Sequence, residues 1–292
     1  MYELVQVSEN CYYFESPAKI GLVLTGGDEA CLIDSGNDKD AGKKVKKLLD
    51  GRGLRLRAIY NTHSHADHIG GNRYLQTNTG CRIYAPGIEQ CFTLYPRLEP
   101  TFLYGGNPPP ELRHKFLMAQ ESAAEPLTQA VLPAGWECLP LPGHAFDMVG
   151  FRTEDGTVYL ADCLSSRMAL EKYQISYIAD VGAYLETLEA VKTMQGRIFV
   201  PSHAEPTEDI APLAQLNIDK VQEIGDRILD ICREPSEFGT ILAALFEAYG
   251  LTMTFEQHAL VGSTVRSYLT WLRQRGCLEG EIAGNRLLWR RS

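Results

Sequence analysis

Along the first 35 residues the chain falls into short apolar runs interrupted by polar turns. CYYFES (11–16), GLVLTGG (21–27) and ACLIDSG (30–36) are rich in β-branched and aromatic side chains and bounded by Gly, Asp or Pro, which predicts strands. The period then lengthens. In KDAGKKVKKLLDGRG (39–53), Val45, Leu48 and Leu49 fall on one side of a charged segment that stops at glycine, which predicts a helix. LRAIYNT (56–62) is an apolar run suited to a buried strand, HIGGNRYLQTNTG (68–80) has helical spacing, and CRIYAP (81–86) is again strand-like.

Residues 87–135 break this rhythm. The segment carries Phe92, Tyr95, Phe102, Tyr104 and Phe116, an irregular GGNPPP turn and a predicted helix over Glu111–Ser122. An insertion of this length predicts a lid or binding loop, with a helical hairpin that completes the core as the plainer alternative. Strand signals return in ECLPLPGHAFDMVGFRTEDGTVYLADCLSS, where EDG predicts a hairpin turn between MVGFRT and TVYLAD. DVGAYLETLEAVKTM predicts a helix capped by Asp180, and RIFVPSHAEP a strand running into a loop. From residue 208 the chain turns helical, in LNIDKVQEIGDRILDICREP, EFGTILAALFEAYG and FEQHALVGSTVRSYLTWLRQRG, before a hairpin, CLEGEIAGNRLLWRRS. Three helices followed by a hairpin is the order of a winged-helix module. The expected domains are therefore 1–207 and 208–292.

Composition narrows the field without naming a function. With 292 residues, 45% hydrophobic and 22% charged, the chain is long enough for one large α/β domain plus a smaller one. A formal net charge of −9 argues against nucleic acid as the default partner. Residues 205–292 hold 13 acidic against 9 basic side chains, the wrong sign for a phosphate-binding module, although Arg266, Arg273 and Arg275 leave one basic edge. The plainer expectation is a tail that packs on the first domain and helps wall its pocket. MYELVQVSEN lacks a basic segment followed by an apolar run, and no stretch reaches eighteen apolar residues. The eight cysteines are scattered without a C-x-x-C pair, as expected of reduced thiols, so the expected setting is cytoplasmic, without a membrane.

The candidate chemistry is concentrated in RAIYNTHSHADHIGGN (57–72), which crowds His63, His65, Asp67 and His68 where a strand gives way to a helix. Ligand sites collect at such strand ends in open α/β sheets. Side chains two apart in extended backbone point the same way, so His63 and His65 can reach one point while Asp67 and His68 reach a second. Two neighbouring metal ions account for the arrangement. Further donors stand at other strand ends: His144 after LPLPG, Asp162 at the end of TVYLA, and His203 after IFVPS. Five of the seven histidines are thereby used; His114 and His258 are expected to be structural.

These residues resemble a known family. THSHADHIGG is similar to the His-x-His-x-Asp-His motif of the metallo-β-lactamase superfamily, LPGH, LAD and PSH resemble its later ligand motifs in order, and LIDSG resembles an early strand motif. The resemblance covers about residues 1–207. It implies an αββα sandwich with two divalent metals at one edge, followed here by the winged-helix-like tail. Carried over, His63, His65 and His144 hold the first metal, Asp67, His68 and His203 the second, and Asp162 bridges the pair. Asp67 is also the residue expected to act in catalysis. Zinc suits this N/O donor set, with iron or manganese as alternatives. Asp34 either orients a ligand imidazole from behind or caps the turn before Gly36.

The implied activity is hydrolysis by a metal-bridged hydroxide, acting on a small thioester, ester or lactone. The alternatives are a phosphodiesterase or ribonuclease using the same metals, and a DNA-binding regulator that senses a ligand at the metals. Asp162 argues against the secreted β-lactamases, and His65 against the diiron reductases; Cys163 is a minor alternative ligand at its strand end. Phe146 and Asp147 depart from the common small residues after His144. An Asp at that position resembles the branch with a winged-helix tail, which includes ribonucleases; its other reading is a turn cap. Phe92, Tyr95, Phe102 and Tyr104 are expected in a lid that suits a small, partly apolar substrate, with Tyr173 and Tyr177 in the pocket wall. A homo-oligomer is compatible with all of this.

Overall fold

The computed structural model describes residues 2–292. The first half forms a seven-stranded sheet whose spatial order follows the chain: β1 (Leu4–Gln6), β2 (Cys11–Phe14), β3 (Ile20–Gly26), β4 (Glu29–Ile33), β5 (Arg55–Tyr60), β6 (Arg82–Ala85) and β7 (Ala124–Pro126). Its first four strands pair antiparallel and its last four parallel. The parallel pairs need crossovers, which α1 (Lys39–Gly51), α2 (Ala66–Ile69) and α3 (Asn72–Thr79) supply, followed by α4 (Glu89–Leu94) and α5 (Leu98–Tyr104). A second sheet has the order β11-β10-β9-β8, built from β8 (Glu137–Pro140), β9 (Val149–Arg152), β10 (Thr157–Ser165) and β11 (Ile198–His203). Between its last two strands lie α6 (Arg167–Tyr173) and α7 (Val181–Lys192).

The burial pattern turns these elements into layers. On one face of the first sheet Leu22, Leu32, Ile59 and Ile83 pack with Val45 and Leu49 of α1 and Leu75 of α3. Their alternate neighbours Val23, Cys31, Ile33, Ala58, Tyr60 and Tyr84 face the other way, onto Val149, Phe151, Tyr159 and Val200 of the second sheet. Period-two alternation with both faces apolar is what a sheet buried between a helix layer and another sheet requires. The far face of the second sheet, with Val158, Leu160 and Leu164, lies under α7 through Val181 and Leu188. The order is helix, sheet, sheet, helix.

The tail comprises α8 (Ala211–Ile231), β12 (Ser236–Glu237), α9 (Phe238–Ala248), α10 (Phe255–Gln274), β13 (Leu278–Ala283) and β14 (Arg286–Arg291), its three strands forming a small sheet in the order β12-β14-β13. Ile224 and Ile228 of α8 and Val265 and Tyr268 of α10 belong to the same core cluster as Leu160 and Leu188. Hydrophobic contact therefore runs unbroken across residue 208. Leu103 of α5, with Leu112 and Leu117, packs on Ala259 of α10, so the 87–135 segment is seated on the tail.

The hairpin between β9 and β10 and the Asp180 cap, which accepts from Ala183 N at 3.1 Å, match their expectations. The helix expected over Glu111–Ser122 does not form. A single tight turn covers Pro110–Leu112 and the chain then runs irregularly to β7, because the prolines at 108–110 and the scattered apolar positions give no buried stripe. The helix expected over 68–80 is split at Gly70 and Gly71. A Cβ on Gly70 would lie 2.4 Å from the Asn37 carbonyl carbon, and one on Gly71 2.3 Å from Ser35 O. Two glycines let the chain press against the loop after β4, which brings that loop to the histidine cluster. No helix among the described residues is long and apolar enough to cross a membrane.

Candidate metal centre

All seven donors arrive at one edge of the two sheets. His63 and His65 follow β5, Asp67 and His68 lie in α2, His144 follows β8, Asp162 is in β10 and His203 ends β11. They form two groups, His63–His65–His144 and Asp67–His68–Asp162–His203, with the donor atoms of each group within 4.8 Å of one another. Within the first, His65 Nδ1 is 3.0 Å from both His63 Nε2 and His144 Nε2. In the second, His203 Nε2 is 3.5 Å from Asp67 Oδ2 and 3.1 Å from Asp162 Oδ2, and His68 Nε2 is 3.0 Å from Asp162 Oδ1. Asp162 Oδ2 also lies 3.5 Å from His144 Nε2, so this carboxylate stands between the groups.

Partners behind the rings decide which nitrogens face inward. Asp34 Oδ2 accepts from His68 Nδ1–H at 2.8 Å and from the Thr62 hydroxyl at 2.7 Å, while its Oδ1 accepts from Thr62 N at 2.8 Å. Having donated to Asp34, the Thr62 oxygen can accept from His63 Nδ1–H at 3.0 Å. His144 Nδ1–H donates to Tyr177 O at 3.1 Å and His203 Nδ1–H to Pro17 O at 3.0 Å. Each of these imidazoles therefore directs Nε2 inward; in His63 and His144 that nitrogen is unprotonated, whereas in His68 and His203 it faces Asp162, which keeps both rings protonated until a metal takes the proton's place. Asp34 thus orients an imidazole, resolving its two sequence readings.

This network tests the fit of a metal. His65 Nδ1 can carry one proton toward either His63 Nε2 or His144 Nε2 at 3.0 Å, which leaves the other close contact as lone pair against lone pair. His68 Nε2 and Asp162 Oδ1 lie 3.0 Å apart but out of hydrogen-bond alignment, and neither has a hydrogen bond elsewhere among the described residues. Each orphan costs about 1–3 kcal/mol unless something binds it. A cation in each group satisfies all of these atoms, and the donors fit.

Electrostatics agree. Burial, with neighbouring imidazoles, pushes His65 down to about 4 and His144 down to about 3, and holds His63 well below its ordinary value, so this trio is neutral and ready to ligate. Asp162 chiefly pushes His203 up to about 10. Against desolvation, Asp162, Asp67 and Asp34 hold His68 well above the usual range. Against desolvation again, His68 and His203 hold the Asp67 and Asp162 carboxyls low.

Backbone devices aim these side chains. Ala161 has φ 51° and the β10–β11 register shifts on either side of it, a bulge that turns Asp162 toward the edge. Asp34 sits at φ 63°, a left-handed conformation that Asp tolerates. Behind the cluster, Glu89 accepts from Ser64 N at 3.0 Å, Ser64 Oγ at 2.5 Å and Asp147 N at 3.2 Å, tying together the loops that carry His63, His65 and His144. Glu89 and the bulge were missed from sequence; a carboxylate in a helical segment carries no mark of burial.

Other sequence-marked residues divide. Tyr173 and Tyr177 line a cleft of about 880 Å3 that reaches His144, Asp162 and His203, and Gln257, Leu260 and Val261 of α10 form part of its wall. Phe92, Tyr95, Phe102 and Tyr104 do not line it. Phe92 and Phe102 instead cluster with Phe146, at ring separations of 6.5 and 6.0 Å from Phe92, while Tyr95 and Tyr104 are exposed. Cys163 points into the core opposite Asp162, and burial pushes its thiol far up, so it is no ligand. Asp147 caps a turn, accepting from Ile88 N at 2.8 Å. His114 and His258 lie outside both donor groups. Arg266 lies over the Phe238 ring and Arg275 over Trp271.

Comparison with known proteins follows the same lines. Residues 15–203 match the family model of the metallo-beta-lactamase superfamily. Hydroxyacylglutathione hydrolase of Thiobacillus denitrificans is 33% identical over 156 residues, 53% of this chain and 46% of that protein. The atrochrysone carboxyl ACP thioesterase of Aspergillus fumigatus is 23% identical over 77% of this chain and 64% of its own length. The chain spans less than half the length of the hydroxyacylglutathione hydrolases it matches, from 21% to 46%. In fold, a beta-lactamase domain protein from Burkholderia ambifaria superposes with a TM-score of 0.76 at 17% identity, covering 99% of this chain and 94% of that one. A metallo-beta-lactamase family protein from Thermus thermophilus gives 0.73 at 19% identity, covering 99% and 97%.

Proposed function

The chain belongs to the metallo-beta-lactamase superfamily, and from that premise we propose that it is a dimetal hydrolase of a small acyl thioester, with esters and lactones as related substrates. The observation that carries the reading is the pair of donor groups joined by Asp162 beside a cleft of about 880 Å3 that reaches His144, Asp162 and His203. The relatives named hydroxyacylglutathione hydrolase and ACP thioesterase support an acylated thiol as substrate. When bound, a pair of divalent ions, zinc by preference for this donor set, supplies Lewis acidity and lowers the pKa of water from 15.7 to about 7.

The chain's own residues do the rest. His63, His65 and His144 hold one ion, Asp67, His68 and His203 the other, and Asp162 spaces them. Asp67 is half exposed and its Oδ1 has no partner among the described residues, so it can accept a hydrogen bond from the attacking water and orient it. Lys19, Arg167 and Lys172 in the cleft wall are matched by Glu15, Glu205 and Asp162, with Lys19 3.6 Å from Glu15, so the wall offers both signs of charge to a polar substrate. Tyr173 and Tyr177 offer apolar ring surface to the acyl portion.

We read the tail as a winged-helix-like module, supported by its order of helix, strand, two helices and hairpin. Its role is to wall the cleft. Arg286, Arg290 and Arg291 pair with Glu237, Glu279 and Asp230, which leaves those charges engaged within the tail.

The test combines metal analysis with a panel of acyl thioesters, lactones, β-lactams and phosphodiesters. Two ions per chain and preferential thioester turnover are expected; replacing both His63 and His65 by Ala should remove one ion and abolish turnover. Activity that survives that replacement, or protein without stoichiometric metal, overturns the reading. Phosphodiester cleavage with strongly salt-dependent RNA binding would move the assignment to a nuclease.

A further inference from the structure

Two buried carboxylates reach the centre from the 87–135 segment, and they differ in one respect. Glu89 has three donors. Glu99, on α5 and only 9% exposed, accepts no hydrogen bond from any described residue. Among the described residues its one oppositely charged contact within 4.0 Å is the far side of a candidate ligand: Glu99 Oε1 lies 3.7 Å from His65 Nε2.

His65 is likewise the exception among the five imidazoles. His63, His68, His144 and His203 each have Nδ1 satisfied from behind by Thr62, Asp34, Tyr177 O and Pro17 O. His65 is turned round. It presents Nδ1 to the cluster at 3.0 Å from His63 and His144, so when that nitrogen holds an ion the ring proton must sit on Nε2, where no described residue accepts it within hydrogen-bond distance. A largely buried carboxyl and a ring nitrogen, neither hydrogen-bonded among the described residues, thus face each other with a gap about 0.8 Å longer than the ~2.9 Å of an N–H···O bond.

We propose that Glu99 is the positioning residue of His65, closing on its Nε2–H and so fixing the ring that turns Nδ1 to the first ion. This rests on the metal-centre reading above. A side-chain torsion on α5 suffices for the closure, and it gives the ring N–H and the carboxyl oxygen each a partner. The Tyr177 ring, centred 5.2 Å from that of His65, braces the imidazole from a second side.

The consequence is that the 87–135 segment takes part in metal binding although its aromatics do not line the cleft. α5 is seated by Leu103 in the cluster with Leu112, Leu117 and Ala259 of α10, so the grip on His65 depends on packing between the segment and the tail. An outer partner of this kind is worth 10–100-fold in metal affinity.

The test is stepwise zinc titration of the metal-stripped full chain against a chromophoric chelator, with cobalt absorption as a second readout. Glu99→Ala should weaken one of two ions by about 10–100-fold and alter the cobalt spectrum, leaving the other ion within about threefold. Glu99→Gln, whose amide oxygen can still accept from Nε2–H, should recover most of that loss; Glu99→Met, of similar size without an oxygen acceptor, replaces the alanine variant if that one does not fold. Parental affinity and spectrum in both variants would overturn the assignment of Glu99. His65→Ala is the control: if it too binds two ions unchanged, the metal-centre reading fails as well, whereas its loss of one ion with Glu99→Ala unaffected sinks only this inference.

Discussion

Replacing Asp34 by Asn should release one ion and spare the other. Asn tolerates the left-handed φ of 63° at this position, so backbone strain does not confuse the result. Its amide oxygen can keep the 2.8 Å bond from Thr62 N. Its NH2 then occupies the place of Oδ2 and faces His68 Nδ1–H, donor against donor, where a 2.8 Å charged bond stood. His68 escapes by moving its proton to Nε2, which removes the lone pair directed at the second donor group. A hydrogen bond to a charged group contributes about 1.5–3 kcal/mol. Loss of an outer partner lowers metal affinity about 10–100-fold, or about 1.4–2.7 kcal/mol, so the two estimates agree. The assay is competition of the stripped protein with a chelator for zinc, backed by a thermal melt to show that the variant is folded. One ion should weaken by one to two decades while the ion on His63, His65 and His144 holds within about threefold. In the double variant with His65→Ala both ions should be weak. Two ions of parental affinity in Asp34→Asn, or a loss shared equally between them, would refute the tautomer argument.

Three further outcomes are expected. In the metal-free protein, His65 and His144 have folded values of about 4 and about 3 against an ordinary 6.5, so their contribution to stability is complete above 6.5 and is lost as pH falls toward those values. His203, raised to about 10, contributes fully below 6.5 and loses its contribution as pH rises toward 10, so urea midpoints should peak near pH 6.5 and decline on both sides; a flat profile from pH 4 to 9 would contradict this. Gly143→Ala should destabilise by about 2–4 kcal/mol in thermal unfolding and lower metal content, because φ is 121° and the new Cβ would lie 2.3 Å from Tyr184 N in α7; a melting temperature equal to the parent's would refute the packing argument. A chain ended at residue 207 should show no cooperative melt, since α8 and α10 carry Ile224, Ile228, Val265 and Tyr268 of the core that covers β10; a sharp transition near the parental temperature would show the first 207 residues to be self-sufficient.

What the chain alone determined is what local periodicity can encode. Apolar alternation marked the strands around Val23, Cys31 and Ile59, a one-sided stripe marked α1, and donors at strand ends marked His63, His65, Asp67, His68, His144, Asp162 and His203 as one set. Those signals depend on residues two to four apart, and composition preserves them. What only the tertiary structure decided depends on residues far apart. Which nitrogen of each imidazole faces inward follows from Asp34, Tyr177 O and Pro17 O, and the aim of Asp162 follows from a register shift against β11. The same holds for the burial of Glu89 and Glu99, the seating of the 87–135 segment on α10, and the inward turn of Cys163. Burial and hydrogen-bond pairing are properties of the packed whole, and no window of sequence contains both partners.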